Sequence, residues 1–252
     1  WKFVLTEDPR IGYVRLTGFG DHTAEDLLRV LNSINGEIEG LILDLRGNTG
    51  GLLTAAVEVC DMFIPADKLI VSTRGRDPAQ YRNYESMTPT VIDSRLPVVV
   101  LVDRFSASAS EIVAACLQDY NRATIVGERT WGKGTVQNVL ELEGGRSAIR
   151  LTTQTYWRPS GKNIHRHRNV DEEREWGVQP ASENRIPLTD EQYLRLAEYR
   201  RFREFPQSVP VKPPTESDAP VETMEDPHLQ RAITILQEQM DSRPLSPLSP
   251  GS

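Results

Sequence analysis

The chain has 252 residues and a mass of 28.4 kDa, which favours one large domain or one domain plus an appendage, with enough chain to bury a proper core. Hydrophobic residues at 38% and charged residues at 26% fit a folded globular protein and exclude collagenous, coiled-coil and wholly disordered classes. With 29 basic against 36 acidic residues the formal charge is −7, and no concentrated basic face exists to neutralise phosphates, so nucleic acid is excluded as a partner.

Two cysteines rule out a disulfide scaffold. Cys60 and Cys116 both sit in apolar, helix-like stretches and read as buried thiols. No Cys/His cluster has metal-ligand spacing, so no metal is expected. The longest apolar runs, such as Leu96 to Val102, fall far short of the roughly 20 residues that span a bilayer. The chain opens at Trp1 with neither a methionine nor a signal-like segment, the pattern of a processed or cropped product whose upstream part is out of view.

In chain order, Ile11 to Leu16 reads as a short strand, Thr23 to Ile34 as a helix opened by a Thr23/Asp26 cap, and Leu41 to Leu45 as an apolar strand. A Gly-rich turn, Arg46 to Gly51, leads to a helix from about Leu53 to Phe63, a strand at Leu69 to Thr73 and a polar loop through Arg74 to Asp93. Val98 to Asp103 is the strongest buried strand, running through the turn Arg104 to Ala107 into a helix that ends near Asp119. Thr124 to Val126, Thr135 to Leu142 and Ala148 to Trp157 follow as strands, the last two joined in hairpin fashion by Glu143, Gly144 and Gly145. Thr189 to Phe205 reads as a closing helix with Thr189 and Gln192 as its capping box. This alternation of strand and helix is α/β grammar, with a core at residues 1–205.

Composition shifts near residue 206. Nine of the 17 prolines lie from Pro206 to Ser252, where acidic residues outnumber basic ones. Residues 206–252 therefore read as a Pro-rich linker and tail, unable to bury enough apolar surface to offset ordering between Pro206 and Pro227. One amphipathic helix, about 227–242, interrupts the tail: Asp226 is its cap, Pro227 its first residue, and Leu229, Ile233, Leu236 and Met240 its apolar stripe. Such a stripe needs a partner surface, on this core or on another chain.

Two Gly-flanked turns compete as the chemical centre. Gly127 to Lys133 fits the phosphate-loop pattern G-x-x-x-x-G-K. The fit stops at Gly134, where a metal-holding Ser or Thr should stand, and at Thr135 to Leu140, which is strand-like where a helix should cradle phosphates. The second turn is Phe105 to Glu111, between the strongest strand and a helix. A serine there lifts its hydroxyl clear beside the first helical N–H groups, which suits a nucleophile next to an oxyanion site. The plainer reading of Ser108 is a capping box with Glu111.

A serine nucleophile needs a base. His22, His165, His167 and His228 are the only histidines, and none lies in a Gly-rich turn or at the end of a strong strand. A lysine can serve if burial in an apolar pocket keeps it neutral. Lys133, between Gly132 and Gly134 and beside Trp131, is the candidate; the plainer reading is an exposed turn lysine.

Taken together, Val102 to Ile112, Gln118-Asp119-Tyr120, Gly127-Glu128, Trp131 to Gln137, Leu43 to Gly51, Pro159-Ser160-Gly161 and Gly177 to Pro180 resemble the carboxyl-terminal processing (tail-specific) serine peptidases, peptidase family S41. The resemblance covers most of residues 10–190. It implies an α/β fold like the crotonase-type and caseinolytic peptidases, with helices packed on a spiral of strands. It also implies a Ser–Lys endopeptidase acting on unfolded or C-terminal segments of proteins, with no cofactor. Ser108 would attack the scissile carbonyl, Lys133 would take and return the proton, and Gln137, four residues on along a strand, would orient Lys133. The N–H of Ala109, with that of Gly50 or Gly51, would form the oxyanion hole, worth about 3 kcal/mol per donor. Asp119 matches a family carboxylate and reads as structural, tying the helix end to Arg122 or Arg46. Relatives work in the periplasm or cell envelope and carry a PDZ domain ahead of the core; that domain is expected upstream of Trp1. Thr49 departs from the family, which usually has proline there. The rival readings are an inactive fold-mate that acts as a binding scaffold and a P-loop nucleotide hydrolase.

Overall fold

The computed structural model describes residue 5 and residues 9–167, 175–204 and 225–242. The linker expected after Pro206 and the last residues of the tail lie outside the described residues.

The core is a parallel sheet of β1 (Ile11–Arg15), β2 (Gly40–Asp44), β5 (Val98–Val102) and β6 (Thr124–Gly127), in the order β1-β2-β5-β6. Every residue of β2 and β5 is buried, as a parallel sheet covered on both faces demands. Alternation splits the strands between two layers. Leu41, Leu43, Val98, Val100 and Val102 face α1 (Thr23–Ile34), α2 (Leu53–Asp61) and α3 (Ala109–Asp119), while Ile42, Val99 and Leu101 face the opposite way.

That opposite layer is α5 (Pro227–Asp241), whose Ala232, Ile235 and Leu236 pack on Ile11, Tyr13, Ile42, Val99, Leu101 and Val126. Burying Ile235 and Leu236 contributes about 1.5–3 kcal/mol each. Its cap is the expected one, with Asp226 accepting the Leu229 N–H at 3.1 Å. The partner surface is thus this chain's own sheet, which α5 covers on the face opposite α1, α2 and α3. Cys60 and Cys116 are buried free thiols on α2 and α3.

A second, antiparallel sheet has the order β4-β3-β8-β7, from β3 (Leu69–Gly75), β4 (Arg82–Glu85), β7 (Thr135–Leu142) and β8 (Ser147–Trp157). β4 falls where a polar loop was expected; its sequence, RNYE, carries no apolar alternation because the strand lies at a solvent-exposed sheet edge. α4 (Asp190–Glu204) opens with the expected capping box: the Thr189 N–H donates to Gln192 Oε1 at 2.9 Å and the Gln192 N–H to Thr189 Oγ1 at 3.2 Å. The cap of α1 differs. Thr23 is already helical and its hydroxyl oxygen accepts the Gly20 N–H at 2.9 Å, while the Asp26 carboxylate turns to Arg29.

Candidate active site

β5 ends in a turn held by a dense set of hydrogen bonds. One oxygen of Asp103 accepts the N–H groups of Gly47, Phe105 and Ser106, each at 3.0 Å. The buried Ser106 hydroxyl donates to the Leu45 carbonyl at 2.8 Å. Ala107 N–H and Ser110 Oγ both donate to the Asn48 carbonyl, at 3.0 and 2.9 Å. This web holds Ser108 at φ 58°, ψ −114°, a region costly for any residue with a side chain, at about 1–3 kcal/mol. The half-buried serine stands at the head of α3.

The turn after β2 comes up against this serine. Gly50 has φ +97°, and a Cβ there would stand 2.6 Å from the Ala107 oxygen, 2.8 Å from Ser108 Cβ and 2.9 Å from the Ala109 nitrogen. Only glycine permits that approach. The Gly50 N–H is committed to Asn48 Oδ1 at 2.9 Å. Among the described residues, the N–H groups of Gly51 and of Ala109, the first residue of α3, have no acceptor. Of the two glycines, Gly51 is therefore the one with a free donor.

Glu111 does far more than cap. It is 0% exposed and collects four donors. Oε1 accepts the Thr130 hydroxyl at 2.5 Å and the Gly132 N–H at 2.7 Å; Oε2 accepts the N–H groups of Ser108 and Lys133, both at 2.8 Å. Burial pushes its carboxyl above the ordinary range, and the four donors only partly offset that. Thr130 is in turn gripped by Val178, whose N–H donates to Oγ1 at 2.8 Å and whose carbonyl accepts the Thr130 N–H at 3.0 Å. The serine turn and the lysine loop thus meet on the Glu111 side chain, with the Gly177-Val178 segment joined to it through Thr130.

Lys133 itself is exposed, so the apolar burial expected from the sequence is corrected. Its flanking glycines put backbone, not the lysine side chain, into the packing: a Cβ on Gly134 would lie 2.3 Å from the His165 nitrogen, and one on Gly132 2.6 Å from Arg166 Cβ. Gln137 is exposed on β7, and the two side chains share no hydrogen bond. Lys133 precedes the first paired residue of β7, Thr135, and the register slips between Val136 and Gln137, so a shared strand face does not follow from the spacing. None of the four histidines hydrogen-bonds to Ser108; His228 is buried and faces the Ile186 carbonyl at 2.7 Å.

Asp119 does tie down the end of α3, but through Arg158 rather than Arg122 or Arg46. Arg158 Nη2 and Nε reach its two oxygens at 2.6 and 3.0 Å, and the Ser160 N–H donates at 2.9 Å. Arg122 instead donates to the carbonyls of Leu96 and Asp93, and Arg46 to Asp44 and Asp226. The partner lies 39 residues away, beyond the reach of local pattern. The phosphate-loop match fails in space as well, because the residues after Lys133 enter β7 and no helix starts there.

A family model, "Peptidase family S41", matches residues 10–183. A "Carboxy-terminal-processing protease" of Bartonella bacilliformis is 44% identical over 159 residues, covering 61% of this chain and 36% of that protein. A "C-terminal processing peptidase, chloroplastic" of Tetradesmus obliquus is 38% identical over 158 residues, covering 62% of this chain and 33% of that one. Among solved structures, "Photosystem II D1 C-terminal processing protease" is similar with a TM-score of 0.60 and 32% identity, covering 73% of this chain and 45% of that one. The chain thus spans about a third of the length of these curated relatives. With the motif order, the mixed parallel and antiparallel sheets and these matches in agreement, the chain belongs to peptidase family S41.

Proposed function

We propose that this chain is the catalytic part of a serine endopeptidase of the C-terminal processing type, cleaving unfolded or C-terminal segments of proteins. The observation that carries the reading is the anchoring of Ser108 and Lys133 by their backbones to the same Glu111 oxygen, beside two unclaimed N–H groups. Ser108 Oγ attacks the scissile carbonyl while Lys133 takes its proton and passes it to the leaving amine. The N–H groups of Ala109 and Gly51 receive the oxyanion. Water then hydrolyses the acyl-serine, with Lys133 as base again.

Because Lys133 is exposed, the dry surroundings this chemistry needs come from the peptide lying over the lysine. The same covering would bring Gln137 into its orienting role. Likeness to the family adds three further points to the reading: a crotonase-like and caseinolytic-peptidase-like strand core, a PDZ domain upstream that selects substrates, and a site of action outside the cytoplasm, in the periplasm or cell envelope.

A labelled unfolded peptide tests the reading. Cleavage by the native chain, lowered by more than about 10³-fold in both Ser108→Ala and Lys133→Ala, supports it. Equal rates in all three proteins contradict it, and binding without cleavage by any of them favours the scaffold.

A further inference from the structure

The family match ends at residue 183, yet α4 and α5 beyond it each bring a charge to the turn that carries Gly50 and Gly51. Arg46, which opens that turn, is 1% exposed. Its backbone N–H, Nε and Nη2 all go to Asp44, at 2.9, 2.9 and 2.7 Å. Nη1 alone leaves this local pair and donates to Asp226 Oδ1 at 2.7 Å. Asp226 is the cap of α5, and Arg200 of α4 lies close to both carboxylates. Among the described residues, Nε and Nη2 of Arg200 have no hydrogen-bond partner. Burial holds its guanidinium below the ordinary arginine range, with Asp44 and Asp226 favouring its charge and Arg46 opposing it.

Two buried guanidiniums therefore stand against two buried carboxylates. Neutralising Asp226 leaves a net positive charge in the core, which is costly unless a guanidinium moves towards water. Arg46 is the one whose hydrogen bond to residue 226 then runs to a neutral oxygen instead of a charged one, and its backbone is the start of the turn. The next residues of that turn hold the serine turn: the Gly47 N–H goes to Asp103, the Asn48 carbonyl accepts from Ala107 and Ser110, and Gly50 lies against Ser108 itself.

We propose that Asp226 is a positioning residue: acting through Arg46, the cap of α5 holds the Arg46–Gly51 turn so that the Gly51 N–H stays beside that of Ala109. The C-terminal helix is then a working part of the active site. The catalytic consequence rests on the peptidase reading, whereas the holding of the turn does not.

The test compares the native chain with Asp226→Asn by hydrogen exchange of the peptide spanning residues 46–52 and by kcat and KM on an unfolded peptide, both below the melting transition. The expected result is exchange at 46–52 faster by about tenfold or more, kcat lower by about 10- to 100-fold and KM within about twofold. Exchange in α5 stays at the native level. Native exchange at 46–52 overturns the proposal, as does opening of the turn and α5 together, or a loosened turn with native kcat. Should Asp226→Asn fail to fold, Asp226→Glu carries the same readouts, with a smaller loss expected. A native chain that cleaves nothing removes the peptidase reading, and the exchange measurement then decides the holding role by itself.

Discussion

Ser108 and Lys133 donate their backbone N–H groups to one and the same oxygen, Oε2 of Glu111, each at 2.8 Å. Their nitrogens are thus no more than twice that distance apart, although one belongs to the turn before α3 and the other to the loop before β7. Backbone anchoring of this kind fixes where each side chain starts and leaves both heads free to meet a substrate.

Glu111→Gln tests that anchor. The carboxylate accepts four donors, two on each oxygen, and an amide offers one oxygen and an NH2 that faces N–H groups it cannot accept. Whichever way the amide turns, at least one buried N–H is stranded. The expected cost is about 2 kcal/mol in denaturant unfolding, with kcat lower by about 10²-fold and KM little changed. A variant with native kcat would mean that the shared oxygen plays no part in catalysis.

Gly50→Ala forces a methyl group into the Ala107 carbonyl and the Ala109 nitrogen at a backbone φ of +97°. Unfolding free energy should drop by about 2 kcal/mol or more, and kcat by more than about tenfold. Gly20→Ala is the control, since nothing lies within 4 Å of a Cβ there; its stability should stay within about 0.5 kcal/mol of native.

Acid sensitivity should come from the buried charges around Arg46. Burial by itself raises the Asp44 and Asp226 carboxyls, but the Arg46 guanidinium, its hydrogen bonds and Arg200 outweigh it and hold both below the ordinary carboxylate range. A carboxyl depressed in the folded state contributes stability that is full above its unfolded value, 3.8, and is lost as pH falls through the depressed value. Glu111, raised by burial, has the opposite sign: its ionisation removes stability as pH climbs from the free-carboxyl range through the raised value. Melting temperature should therefore fall steeply below about pH 4. In Asp44→Asn it should start lower at neutral pH and fall less steeply. Parallel curves for the two proteins would contradict the assignment.

The elements that place the site were legible because their signals are local. Val98 to Val102 is an unbroken apolar run, the Thr189/Gln192 and Ser108/Glu111 spacings mark helix starts, and the glycines at 50 and 51 mark a turn under close approach. What stayed hidden depends on residues far apart in the chain. The Ser-x-x-Glu spacing gave Glu111 its bond to Ser108, but nothing local announces Thr130, Gly132 and Lys133 as its other donors. The Arg46–Asp226 pair spans 180 residues, and the helix that carries Asp226 was legible with its cap and stripe while the sheet it packs on, far upstream in the chain, was not. The apolar pocket expected around Lys133 does not form because its apolar neighbours in sequence do not surround it in space: Trp131 is 58% exposed.

The most direct measurement of the central claim is the rate and position of labelling by a fluorophosphonate, which reacts with an activated serine and places its phosphoryl oxygen in the oxyanion hole. Peptide mapping should find the adduct on Ser108, with labelling slower by at least about 10²-fold in Lys133→Ala. An adduct on any other residue, or labelling of Ser108 at the native rate without Lys133, would contradict the account.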